Sequence, residues 1–130
     1  MRLLFLGDIG TASAPVAPPP RLPAADLVIA NLEGAILDDA ELEQHTPRKF
    51  VALHSSPAIL DYLKQTGVDA VSLANNHVYD FDAPNRSTRR RLEAAGIASF
   101  GAGATSGSAS RSRVRIAPAA KTATYWETDV

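Results

Sequence analysis

The chain contains no cysteine, which excludes disulfides and thiolate-held metals and leaves Asp, Glu, Asn and His as the only side chains suited to a metal ion. Such ligands favour hard or borderline ions. It also lacks a dominant charge: 13 basic against 14 acidic side chains give a formal -1, so nothing draws the whole molecule to nucleic acid or anionic lipid. Any anionic ligand must be recruited locally. No apolar run approaches the roughly eighteen residues that a membrane-spanning helix needs. Leu3-Leu4-Phe5-Leu6 is cut short by Gly7 and Asp8 before a secretory core can develop. With no signal peptide evident, a cytoplasmic location is the default expectation. What is present is ordinary for one folded domain: 130 residues, 45% of them apolar and 21% charged.

The order of apolar runs and breakers predicts an α/β chain. Residues 2–6 and 27–30 read as buried strands ended by Gly7-Asp8-Ile9-Gly10 and Asn31-Leu32-Glu33-Gly34. Between them, the proline-rich stretch 15–23 reads as an extended surface loop in place of a crossover helix. Residues 38–44 suit a helical turn and 49–53 a further strand. Ser56 as cap, Pro57 at the first helical position, the stripe Ile59, Leu60 and Leu63, and Gly67 as terminator predict a helix. A strand over 68–73, a helix over 84–95 ended by Gly96 and a strand over 97–100 complete a βαβ rhythm, which implies a parallel-rich sheet flanked by helices. Residues 105–130 read as a divergent flexible tail, opening on a Ser-, Gly- and Ala-rich stretch and holding one weak strand at 114–117.

The chemistry gathers where strands end. Ala74-Asn75-Asn76-His77-Val78-Tyr79-Asp80 follows directly on an apolar run, and in open α/β sheets the C-terminal strand edge is where ligands bind. Asn76 can offer a neutral oxygen to a metal, His77 can exchange a proton near neutral pH, and Asp80 is near enough to orient the imidazole. If the strands are parallel neighbours, Asp8, Glu33 and Asn76 lie along one edge and can converge on a cation. Oxygen ligands suit Mg²⁺ or Mn²⁺, and with added imidazoles Fe²⁺ or Zn²⁺. A two-metal site would activate water against a phosphoester while a histidine protonates the leaving group.

Gly7-Asp8, Asn31-Leu32-Glu33-Gly34, Ala74-Asn75-Asn76-His77 with Asp80, and Ala95-Gly96-Ile97 before Gly101-Ala102-Gly103 together resemble the CapA family of capsule and poly-γ-glutamate synthesis proteins. That family is related to the calcineurin-like metallophosphoesterases. The resemblance covers residues 2–104 and implies the N-terminal half of an αββα sandwich. It further implies that Asp8 is the first metal ligand, Glu33 a bridging carboxylate, Asn76 a metal-binding amide, His77 the proton donor and Asp80 its orienting carboxylate. The partner implied is an anionic polymer or phosphoester. Asp82 stands where the family pattern places Gly, and no histidine follows His77, so a truncated domain with an incomplete site is expected. A cyclic-nucleotide phosphodiesterase relative and a non-catalytic polymer-binding component are the alternatives.

Each residue also has a structural role open to it. Asp8 could cap a helix, Glu33 could be a solvated strand-end carboxylate, and His77 could be a structural histidine bonded to Asp80. Asn75 is expected to bond the loop backbone, and His45 and His54 to lie at surface or strand-flanking positions. Arg89-Arg90-Arg91, without interleaved aromatics, reads as a solvated helix face and not as a nucleic-acid patch. The glycine pattern at Gly7-Asp8-Ile9-Gly10 lacks the third glycine that a dinucleotide-binding turn requires.

Overall fold

In the computed structural model, residues 1–13, 17–81, 85–103, 114–116 and 124–126 are described. Their elements in chain order are β1 (Leu3–Ile9), β2 (Leu27–Leu32), β3 (Ala35–Ile36), α1 (Asp39–Gln44), β4 (His54–Ser55), α2 (Ile59–Thr66), β5 (Ala70–Ser72), α3 (Asn85–Ala94), β6 (Ala98–Phe100), β7 (Val114–Ile116) and β8 (Thr124–Trp126). One sheet of order β1-β2-β5-β6 is parallel throughout, which is the α/β architecture the alternation predicts. Strands β3 and β4 form a short parallel pair, and β7 and β8 an antiparallel one. The connection from β1 to β2 contains no helix among its described residues, as its prolines require. Pro15, Asp82, Pro84 and the stretch 104–113 lie outside the described residues.

Alternation along β2 divides its side chains between two faces. Val28, Ala30 and Leu32 join Val71 and Leu73 against Ile59 and Leu63 of α2 and Leu92 of α3, all buried. Leu4, Leu6 and Ile9 of β1 pack against the same cluster. The opposite face carries a smaller cluster of Leu27 and Ala70 with Ile29, Ala98 and Phe100.

Several predicted elements differ in detail: β1 and β2 run through their expected breaks at Gly7-Asp8 and Asn31-Leu32, because these residues stay paired in the parallel ladder. Helix α2 begins at Ile59 rather than at Pro57, and neither Ser56 nor any other side chain caps it. The amide of Ser56 donates to the Thr11 carbonyl and its own carbonyl accepts from Ile59, so Ser56 stitches the helix entry to the end of β1. Gly67 does terminate the helix, at φ 79°. The strand predicted over 49–53 is absent. Backbone groups there turn to Asp80: the Arg48 amide donates to its carbonyl at 2.6 Å and the Leu53 amide to Oδ2 at 2.9 Å. A single antiparallel bridge, Pro47 with Phe81, marks the crossing.

The arginine run also divides. Arg89 and Arg90 are exposed, as read from the sequence, but Arg91 is not part of a solvated face. Its guanidinium donates to the Ile36 carbonyl at 2.8 Å, to Glu41 Oε2 at 2.7 Å and to Asp38 Oδ2 at 2.7 Å. Asp38 and Glu41 form a reciprocal capping box on α1. A six-residue helix is too short to persist by itself, so Arg91 and the box together hold it against α3 and β3. Thr88 adds to this junction by accepting the Ile36 amide at 2.9 Å. Arg91→Ala is expected to lower stability by about 1–2 kcal/mol in urea unfolding, the low end because Asp38 is partly exposed. Arg90→Ala should stay within about 0.5 kcal/mol of the parent.

Candidate functional site

Strands β1, β2 and β5 all end at one edge, and the polar motifs follow from there. On β1 the pairing with β2 slips between Phe5 and Asp8: Phe5 stands opposite Ile29, and Asp8 opposite Asn31. Two residues of β1, Leu6 and Gly7, therefore span the single residue Ala30, as in a β-bulge. Strict alternation would put Phe5 and Asp8 on opposite faces. The slip restores Asp8 to the face of Asn31, whose Nδ2 donates to Asp8 Oδ1 at 2.7 Å.

The same Asn31 Nδ2 donates to Glu33 Oε1 at 2.7 Å, so two carboxylates converge on one amide. Asn31 Oδ1 in turn accepts from Asn75 Nδ2 at 3.1 Å. Asn75 also donates to the Leu32 carbonyl at 2.8 Å, and its Oδ1 accepts the His77 amide at 3.0 Å. Those bonds give Asn75 the loop-bracing part expected of it. The loop after β5 thereby reaches across to the end of β2.

Past this brace, His77 Nδ1 lies 2.5 Å from Asp80 Oδ2 and its Nε2 lies 3.7 Å from Glu33 Oε2. The imidazole is thus suspended between a buried carboxylate and one of the pair on Asn31. Asp80 is fully buried. Its Oδ2 also takes the Leu53 amide, while Oδ1 is 2.7 Å from Lys49 Nζ. Burial pushes the Asp80 carboxyl up. The Lys49, His77 and Leu53 hydrogen bonds and the imidazole charge outweigh burial, holding it below the ordinary carboxylate value of 3.8.

Four of the five site residues read from the sequence, Asp8, Glu33, His77 and Asp80, are thus linked in one network. Asn76 is placed differently: it is exposed, and it meets the network through its main-chain carbonyl, which accepts from Lys49 Nζ. Asn31 and Lys49 were missed as site residues. Asn31 stands inside the Asn31-Leu32-Glu33-Gly34 motif, two residues before Glu33, and that spacing is its only signal in the sequence. Lys49 had none, because it arrives from a distant bend. His54, expected at a surface or strand-flanking position, is the first residue of β4 and stacks edge-on to Phe81 at 5.8 Å, a packing role.

The donor set limits which ion would suit the edge. Asp8 and Glu33 bring hard carboxylate oxygens together at the Asn31 amide, but among the described residues no three His, Cys, Asp or Glu side chains are arranged to hold an ion. Such a pair fits a hydrated cation completed by water and substrate, in the manner of Mg²⁺ or Mn²⁺, better than a closed His-rich centre.

The fold and edge define a class: parallel α/β proteins whose strand ends join acidic side chains to an aspartate-held histidine. The chain belongs to the bacterial capsule synthesis protein family PGA_cap, whose sequence profile matches residues 8–126. This is the family that the Gly-Asp, Asn-Leu-Glu-Gly and Ala-Asn-Asn-His motifs resemble. No curated protein matches the chain.

Proposed function

We propose that this capsule synthesis family member uses the strand edge as a divalent-cation-assisted hydrolytic site for a phosphoester or related bond. The observation that supports this best is the fixed imidazole: Nδ1 engaged by Asp80 at 2.5 Å and Nε2 on the side of Glu33. Asp8 and Glu33 would hold the cation, with the exposed Asn76 as a further oxygen donor. A bound cation supplies Lewis-acid polarisation of the substrate and lowers the pKa of a bound water.

The remaining work falls to the chain itself. Asp80 fixes the ring by accepting a hydrogen bond from Nδ1–H, so the proton that the charged imidazolium gives to the departing oxygen is the one on Nε2. Asn31 keeps Asp8 and Glu33 together despite their like charge. Addition of Mn²⁺ is expected to raise hydrolysis of an aryl phosphodiester by the full chain, and His77→Ala to reduce it by about 10²–10⁴-fold. A rate unaffected by both Mn²⁺ and His77→Ala would sink the proposal.

Only two carboxylates, Asp8 and Glu33, meet at the Asn31 amide among the described residues, and this favours one second reading, in which the edge binds an anionic polymer without turning it over. Polymer binding that persists in Asp8→Ala and in the absence of divalent metal would support this alternative.

A further inference from the structure

Lys49 lies outside every motif that marks the edge, yet it touches the motif loop at two points. Its ammonium pairs with Asp80 Oδ1 at 2.7 Å and donates to the carbonyl of Asn76. These contacts flank His77 on both sides in sequence. The neighbouring peptide is itself anchored, since the Arg48 amide donates to the Asp80 carbonyl at 2.6 Å. Lys49 is therefore held in place from its backbone as well as from its side chain.

Asp80 explains why this contact matters. Its Oδ2 is committed to His77 and to the Leu53 amide, and it is fully buried. With Oδ1 unsatisfied, the carboxylate would have both an uncompensated lone pair in the interior and freedom to rotate about its last torsion. An ammonium on Oδ1 removes both. It fixes the carboxylate plane and so the direction from which Oδ2 meets Nδ1 of His77. An ordinary surface ion pair would contribute little, because both partners are solvated. Here only Lys49 reaches water, at 45% side-chain exposure, while Asp80 is at 0%.

We propose that Lys49 is a positioning residue for His77, acting through the Asp80 carboxylate and the Asn76 carbonyl. The inference rests on the reading of His77 as the proton-handling group. Its test does not require hydrolysis. In the ¹⁵N-labelled full chain, ring-nitrogen correlation spectra report the His77 tautomer and the exchange of its Nδ1 proton, with His45 and His54 as internal references.

With its ring neutral, His77 of the parent protein should show one tautomer, with the proton on Nδ1, the second proton of the charged form residing on Nε2. Lys49→Met should populate the other tautomer or accelerate exchange of that proton about tenfold, which is equivalent to about 1.4 kcal/mol, while leaving His45 and His54 unchanged. Lys49→Arg, which keeps the charge, should restore the parent signature. An unaltered His77 spectrum in Lys49→Met would overturn the proposal, as would equal changes at all three histidines. Unfolding of both Lys49→Met and the milder Lys49→Gln would make the residue purely structural and overturn it too. Failure of the parent protein to hydrolyse phosphodiesters would count against the proposed function and leave the His77 result standing.

Discussion

Asp80→Ala is expected to lower unfolding free energy by about 3 kcal/mol or more, because it strips partners from Lys49, His77 and the Leu53 amide at once. Losses on breaking a buried charge pair run to about 3–5 kcal/mol. The lower figure applies here because Lys49 is half exposed and can turn to water. Even that is a large share of the roughly 5–15 kcal/mol that holds an ordinary domain together. Urea unfolding monitored by circular dichroism measures it.

The effect should depend on pH in one direction only. The folded Asp80 carboxyl sits below its ordinary value of 3.8, so in acid the unfolded chain takes up this proton first. Its stabilising contribution is complete above that ordinary value and disappears as pH falls through the lower folded one. Below about pH 5, the stability gap between parent and Asp80→Ala should thus narrow as pH falls. A gap that widened in acid would contradict the assignment.

Gly34→Ala is the second change expected to be severe. Gly34 turns at φ 74°, and a Cβ there would come within 2.3 Å of the Leu53 carbonyl oxygen. A left-handed conformation costs a non-glycine residue about 1–2 kcal/mol, and overpacking adds about 1–3 kcal/mol. A total loss of about 2–5 kcal/mol in urea unfolding follows. Because the clash pushes on Leu53, whose amide holds Asp80 Oδ2, the His77 Nδ1 proton should also exchange faster in this variant. Gly67→Ala makes the contrast, since a Cβ there meets nothing within 4 Å, and it should cost only the backbone strain.

Much of this arrangement was legible in the residues because it depends on short-range pattern. Apolar runs before Gly-Asp, Asn-Leu-Glu-Gly and Ala-Asn-Asn-His marked the strands, although β1 runs on through Gly7 and Asp8 to Ile9 and β2 through Asn31 to Leu32. Gly67 and Gly96 marked helix ends, since few other residues adopt their positive φ. His77 and Asp80 lie three residues apart, so their contact needed only a local turn. The errors arose where a distant group set the local structure. Residues 49–53 carry strand-like composition, but the Leu53 amide is taken by the buried Asp80 carboxylate and the Arg48 amide by the Asp80 carbonyl instead of by a neighbouring strand. Arg91 looked like its solvated neighbours because helical phase alone does not reveal that Asp38 and Glu41 stand opposite.

By itself, then, the sequence determined the parallel α/β class, which follows from periodicity, and, through the resemblance of its short motifs, the family and the candidate side chains for chemistry. Tertiary structure decided which of them meet. A one-residue slip in β1 brought Asp8 to the face of Asn31, Asn75 tied the loop after β5 to β2, and Lys49 closed on Asp80 from 31 positions away. None of these could be read from spacing, because register and long-range pairing depend on how the whole chain satisfies its buried polar groups.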